Sequence, residues 1–185
     1  MKKILRIVCI LFSLPFIYLL IVAVVNWQDF LFPVIRYGEF PFHIEYKLNG
    51  EIFSIKDTVI AEFRGHTRST KGLPIRSWRG TMQSGESPRR DIFHDTDVPS
   101  VLTEGQHNMG IWIWISTGWP DHFMGDSNRT FRDHPRIVLS EQFSWMRGSV
   151  ITSTEITAEQ LQEYFDITIV TWEFSEPIQN RFWIR

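Results

Sequence analysis

Asp121, His122 and Asp126 lie close together in "GIWIWISTGWPDHFMGD", residues 110–126, directly after a run that alternates isoleucine with tryptophan. Carboxylates beside an imidazole are the parts of general acid–base chemistry. Asp57 adds a further carboxyl within an otherwise apolar segment. These four are the candidate catalytic residues, and the reaction they suggest is hydrolysis. Trp112, Trp114 and Trp119 suggest a different role. Indole faces are flat and large, and a sugar ring or peptidoglycan fragment can stack on them. They are the candidate ligand-binding residues. The competing reading makes Trp112 and Trp114 core, and Asp121, His122 and Asp126 turn formers and solvated loop charges.

His94, Asp95, His107, Asp133 and His134 add nitrogen and oxygen donors, but no H-E-x-x-H spacing occurs. Asp95 and Asp97 lack the rest of a calcium loop. No metal and no cofactor is expected. G-x-S-x-G, S-x-x-K, the P-loop and G-x-G-x-x-G are all missing, so no linear motif supports a particular enzyme.

The elements that must hold these residues are legible in the periodicity. Asn49-Gly50 is a strong signal for a two-residue hairpin turn. With residues paired so that their numbers sum to 99, Tyr46 faces Phe53, Ile44 faces Ile55 and Phe40 faces Val59 on one side. His43, Glu45 and Lys47 alternate onto the other side. Asp57 falls opposite Phe42 on the apolar face, where a carboxylate has to find hydrogen bonds. A structural role there has it tethering a crossing loop; a functional role has it lining a pocket. Ile111, Ile113 and Ile115 take one face of a strand and the two tryptophans the other, as in a central strand covered on both sides. Further strands are expected over 75–82, 136–140, 145–153, 166–175 and 181–184, with long loops over 64–74 and 83–108. "ITAEQLQEYF" predicts one short helix, with Thr157 and Gln160 as a capping box and Ile156 and Leu161 as a hydrophobic staple. Leu161, Tyr164 and Phe165 form its apolar stripe. Seven or eight strands with one helix predict a mainly β fold, an antiparallel sandwich or open barrel.

Ahead of this domain, Ile7 to Val25 runs 19 residues without a charge, and as a helix would rise about 28 Å, close to the hydrocarbon core. Lys2, Lys3 and Arg6 precede it, which predicts a cytoplasmic N-terminus, and Trp27, Phe30 and Phe32 follow at the height of an interfacial belt. The expectation is a single-pass transmembrane anchor over 1–30 and an extracytoplasmic β-rich domain over 31–185. A cleaved signal ending at Ala23 is the alternative. The single cysteine, Cys9, lies in this apolar segment, so the domain has no disulfide or cysteine nucleophile.

With Lys2, Lys3 and Arg6 set aside, 16 basic residues stand against 21 acidic ones. Residues 64–90 nevertheless hold seven basic residues against Glu86 alone. That block reads as a solvated loop, or as a contact for anionic headgroups or wall polymers beside the membrane. Nucleic acid is not expected as a partner outside the cell, and no protein partner is named by the sequence.

"YGEFPFHIEYKLNGE", "DTVIAEFRG" and the later "MGD" resemble a group of uncharacterised, small membrane-anchored or lipoprotein-like proteins of Gram-positive bacteria. The resemblance covers about the first third of the chain and implies an exported location and no activity. The lipobox of the lipoprotein members is missing. The function expected is therefore binding or scaffolding at the cell surface. An envelope hydrolase built on the Asp/His cluster and an accessory subunit of a membrane complex are the alternatives.

Overall fold

A computed structural model of the chain describes residues 14–21, 31–68, 72, 74–96, 99–103, 109–126, 134–145 and 148–183. Residues 14–21 form a helix, α1, whose side chains are all exposed. The remainder of the expected 7–25 span lies outside the described residues, as do Trp27 and Phe30. Among the described residues no helix is long and apolar enough to cross a membrane. Phe32, expected in the interfacial belt, opens the short strand β1 (Phe32–Pro33) and meets Phe63 and His66 edge-on.

The Asn49-Gly50 turn joins β2 (Tyr37–Leu48) to β3 (Glu51–Arg68) in the expected register, with Phe40 opposite Val59, Phe42 opposite Asp57 and Tyr46 opposite Phe53. Asn49 and Gly50 have φ of 52° and 86°, the left-handed pair that a type I′ turn requires. β3 runs on to Arg68, so the first five residues of the loop expected at 64–74 are strand. It pairs with β4 (Pro74–Met82), and β9 (Thr168–Phe174) adds to the other side of β2. Sheet I thus has the order β4-β3-β2-β9.

The chain then builds a second meander, sheet II, from β5 (Arg89–Asp95), β6 (Gly110–Ser116), β7 (Arg136–Trp145) and β8 (Gly148–Ile156). β5 lies inside the second expected loop, and β7 runs further than the sequence suggests. Both sheets are antiparallel. β10 (Phe182–Trp183) pairs with β1 in a separate ribbon. A four-residue helix, α2 (Pro120–Phe123), follows β6, and α3 (Ala158–Phe165) returns the chain from sheet II to sheet I. The capping box on α3 is complete in both directions, and Ile156 and Leu161 are buried as a staple requires. Tyr164, placed in the apolar stripe by spacing, is exposed instead; Phe165 reaches Phe93 alone.

One apolar cluster joins the inner faces of the two sheets, giving a sandwich-like architecture. Phe40, Phe42, Ile44 and Tyr46 supply the β2 side. Ile111, Ile113, Ile115, Ile137 and Leu139 supply the sheet II side. Each such side chain contributes about 1.5–3 kcal/mol on leaving water.

Nothing lies within 4 Å of where a Gly50 Cβ would stand, so a side chain there meets backbone strain and no clash. Replacing Gly50 with Val is expected to cost about 1–3 kcal/mol, read as a lowered midpoint in denaturant unfolding. An unchanged midpoint would count against the turn.

Candidate functional site

The alternation in β6 buries its three isoleucines and leaves Trp112 and Trp114 half-buried on the outer face of sheet II. The reading of both faces as core is corrected, for a two-layer fold provides no third layer there. Neighbours on the same face cover the indoles instead. His94 stacks on Trp112 at 5.1 Å, and the Arg89 guanidinium lies over Trp114 at 4.8 Å. Trp114 also donates its Nε1–H to Ser140 Oγ at 3.1 Å.

Past Ser116 the chain leaves the sheet and is held at every step. Thr117 is fully buried and donates its backbone N–H to Pro88 O at 3.1 Å. Pro120 stands at the start of α2, where its missing N–H costs nothing. Phe123 stacks on Phe40 at 4.9 Å. Gly125 has φ of 65°, and a Cβ on it would collide with the carbonyl oxygen of Ile178. Asp126 accepts Arg76 Nε–H at 2.7 Å, Arg76 Nη2–H at 2.6 Å and Trp78 Nε1–H at 2.8 Å. Asp126 and Arg76 are 4 % and 5 % exposed, and Asp121 is buried too. The expectation of solvated loop charges fails for both aspartates, because α2 folds inward against β3 and β4 and takes them with it.

This loop forms one wall of a cavity of about 370 Å³. Trp78 of β4, Trp114 of β6 and Trp119 of the loop line it, with Met82, Pro88 and Pro120 adding apolar surface. Trp119 is 56 % exposed at the mouth. Arg89 and Arg136 are the charged residues of the lining among the described residues. Two of the three candidate tryptophans therefore meet in one cleft, while Trp112 lies elsewhere on the sheet. Trp78, Arg89 and Arg136 were missed because they come from three other strands with no linear signature.

Asp57 sits at the crossing from β4 to β5. It accepts Thr58 N–H at 2.8 Å, Ser84 N–H at 3.2 Å, the Ser84 hydroxyl, and Arg90 Nη2–H at 2.7 Å. Arg90 also pairs with Glu86. Burial pushes the Asp57 carboxyl up, but the Ser84 and Thr58 hydrogen bonds and the Arg90 charge hold it below its ordinary value of 3.8. The structural role, tethering a crossing loop, is the one its contacts describe. Glu141, absent from the sequence candidates, does the same work in β7. It is fully buried and accepts Ser100 Oγ–H at 2.7 Å and Val101 N–H at 2.8 Å.

The described residues of the basic block are likewise mostly strand and turn rather than one solvated loop, and Lys71 lies outside them. Arg76 and Arg90 are internal, Arg64 pairs with Glu62 at 3.0 Å and Arg89 with Asp91 at 2.8 Å.

Asp57 borders open grooves at the sheet crossing, and none of Asp121, His122 and Asp126 lines those grooves or the tryptophan cleft. On sheet I, His43 Nε2 lies 3.0 Å from Glu45 Oε1 and 3.3 Å from Ser54 Oγ, with Nδ1 3.7 Å from Glu173 Oε2. Those are the parts of a nucleophilic triad. Glu45 competes with Ser54 for the same ring nitrogen, however, and the cluster stands on an open groove rather than an enclosed cavity. Among the described residues no group of three or more His, Cys, Asp or Glu could hold a metal ion; Asp97, His107 and Asp133 lie outside them. Comparison with protein-family models, curated proteins and solved structures finds no match for this chain.

Two stability outcomes follow from these contacts. Asp126→Ala strands the buried Arg76 charge and is expected to cost about 3–5 kcal/mol, measured by urea unfolding. Asp57→Asn is expected to cost about 1–3 kcal/mol at neutral pH. Because the folded-state carboxyl titrates below the unfolded one, its contribution is complete above the unfolded value and is lost as pH falls through the lowered folded value. The gap between wild type and Asp57→Asn should therefore begin to narrow below about pH 4 and close only once the pH has fallen through the lowered folded value. A gap that persists there would remove the charge from the account.

Proposed function

We propose that the chain is a membrane-anchored, extracytoplasmic binding domain whose ligand enters the tryptophan cleft. The cleft carries this reading. It is a partly open, mostly apolar cleft, and buried contacts hold the loop and strand that wall it, as in small-molecule sites generally. The anchor, residues 1–30, is supported by the uncharged run from Ile7 to Val25 and the basic residues ahead of it. Exposed Leu14, Phe16, Ile17, Leu19 and Leu20 on α1 add to this, since water is a poor surrounding for them. The basic N-terminal flank places the N-terminus in the cytoplasm and residues 31–185 outside. The resemblance to anchored and lipoprotein-like proteins of Gram-positive bacteria agrees with an exported position. Arg64, Arg68 and Arg79 are exposed arginines of β3 and β4 that anionic headgroups or wall polymers could reach.

Two measurements test this reading. The full-length chain in membrane fractions is expected to resist carbonate extraction, while protease added to intact cells digests the domain. A soluble product starting at Val24 would overturn the anchor. Trp119→Ala is expected to leave the melting temperature within error, because the indole is exposed. The same change should weaken the binding of any ligand that quenches tryptophan fluorescence from the cleft, since Trp78 and Trp114 remain there to report it. Loss of fold in this variant would make Trp119 structural instead.

A further inference from the structure

Sheet II ends on a strand that nothing among the described residues covers. β8 pairs with β7 over all nine residues without a register shift, and Gly148 to Ser153 are exposed without interruption. Successive side chains point to opposite faces, so this unbroken exposure leaves both faces of the strand open. Every second residue of an edge strand also turns its N–H and C=O away from its neighbour. No described residue outside β7 and β8 itself bonds to that backbone. The other edges of the two sheets are guarded. α2 packs against β4. β5 carries Arg89, Arg90, Asp91 and Asp95 with a register shift after Asp91, and β9 carries Glu173 and meets β2 across a register shift. Charge, bulges and cover are the usual protections of an edge. Residues 148–154 have neither charge nor proline, and Val150, Ile151, Thr152 and Thr154 are β-branched residues suited to a ladder.

We propose that β8 is the interface of a two-fold dimer, pairing antiparallel with β8 of a second copy so that the two sheets II run on as one. The occupant follows from self-complementarity. A two-fold contact sets one patch against itself, so a charged strand would bring like charges together; this one is neutral. An axis perpendicular to the sheet keeps each face on its own side, so residues pair only with residues of the same face. With the axis at Ile151, residues 148–154 pair among themselves: Gly148 with Thr154, Ser149 with Ser153 and Val150 with Thr152. Ser153 Oγ meets Ser140 Oγ at 2.8 Å on the face that carries Trp114, which places Ile151 on the outer face as well. Its side chain, 63 % exposed in the single chain, meets its own copy there. Glu155 falls beyond the ladder and keeps its pairing with His134. An axis one residue further on would draw Glu155 into the ladder.

The test uses the full-length chain in detergent micelles, carrying Cys9→Ser so that each introduced cysteine is the only one. Opposed residues of antiparallel strands stand about 4.5–5.5 Å apart at Cα, within disulfide reach. Mild oxidation of Ile151→Cys is therefore expected to give a disulfide-linked dimer. Ser149→Cys and Ser153→Cys lie on the same face, but two copies of either stand about 14 Å apart in this register. Each alone should stay unlinked, and only their mixture should cross-link. In sedimentation the chain without introduced cysteines should show a dimer that dissociates on dilution. Ile151→Lys should abolish that dimer and leave the far-ultraviolet circular dichroism spectrum unchanged. Equal cross-linking at the three single positions reports random collision and overturns the inference, as does a maximum anywhere but 151. A dimer that survives Ile151→Lys lies on another surface and overturns it too. A chain that stays monomeric at every concentration, with no disulfide at 151, does the same. Because the cysteine variants are decisive by themselves, loss of fold in Ile151→Lys does not protect the inference.

Discussion

A guanidinium and a carboxylate shut away from water have to neutralise each other, and Arg76 and Asp126 do so across 50 residues of sequence. Their two parallel hydrogen bonds fix orientation as well as distance. The indole N–H of Trp78 completes the carboxylate, and the ring of Phe182 lies 4.1 Å from the guanidinium carbon. One ion pair therefore ties together β4, the loop after α2, and β10 of the small ribbon. Its net gain over an apolar equivalent is small, since both charges lost their hydration. Its value lies in the cost of every other arrangement, because a chain that misplaces the loop strands a buried charge. The edge of sheet I at β4 is covered in the process, as an exposed strand edge needs to be.

The same device recurs where the chain has to be turned. Asp57 interrupts the inward-facing residues of β3 and captures Ser84 and Arg90 at the crossing between the sheets. Glu141 interrupts the alternation of Ile137, Leu139 and Phe143 in β7 and captures the backbone at Val101 and Leu102. Each carboxylate accepts from several donors, so its buried oxygens do not go without hydrogen bonds. None projects free into a cavity. Both acids hold a loop crossing in place through these contacts.

Local pattern accounts for what was legible. The β2–β3 register followed from one turn dipeptide and a period of two, because a slip of a single residue would expose four large side chains. The α3 cap followed from Thr157 and Gln160, whose bonds reach only three residues. Asp57 was visible as the single polar residue on an apolar face. Glu141 carries the same signal, but ending β7 at Ser140 hid it. Arg76 and Asp126 leave no such trace, for a charge looks solvated until its distant partner is known. The basic block misled for this reason: Gly, Ser and Thr suggested loop, while Arg76 and Arg90 were already committed to aspartates elsewhere.

The tryptophans divide according to what covers them. On the open face of sheet II, His94 and Arg89 lie over Trp112 and Trp114, so two large indoles remain compatible with water. That cover ends with the strand. Where β6 gives way to Thr117, the sheet has no further residue to offer, and the loop supplies Trp119 instead, half exposed at the mouth of the cleft. A chain selecting only for stability would close such a gap with the loop it has already anchored nearby. Here the loop is anchored by Phe123 and Asp126 behind the gap rather than across it. The rigidity spent on this segment thus preserves a mostly apolar space, and that space is the feature of the fold that core packing leaves unexplained.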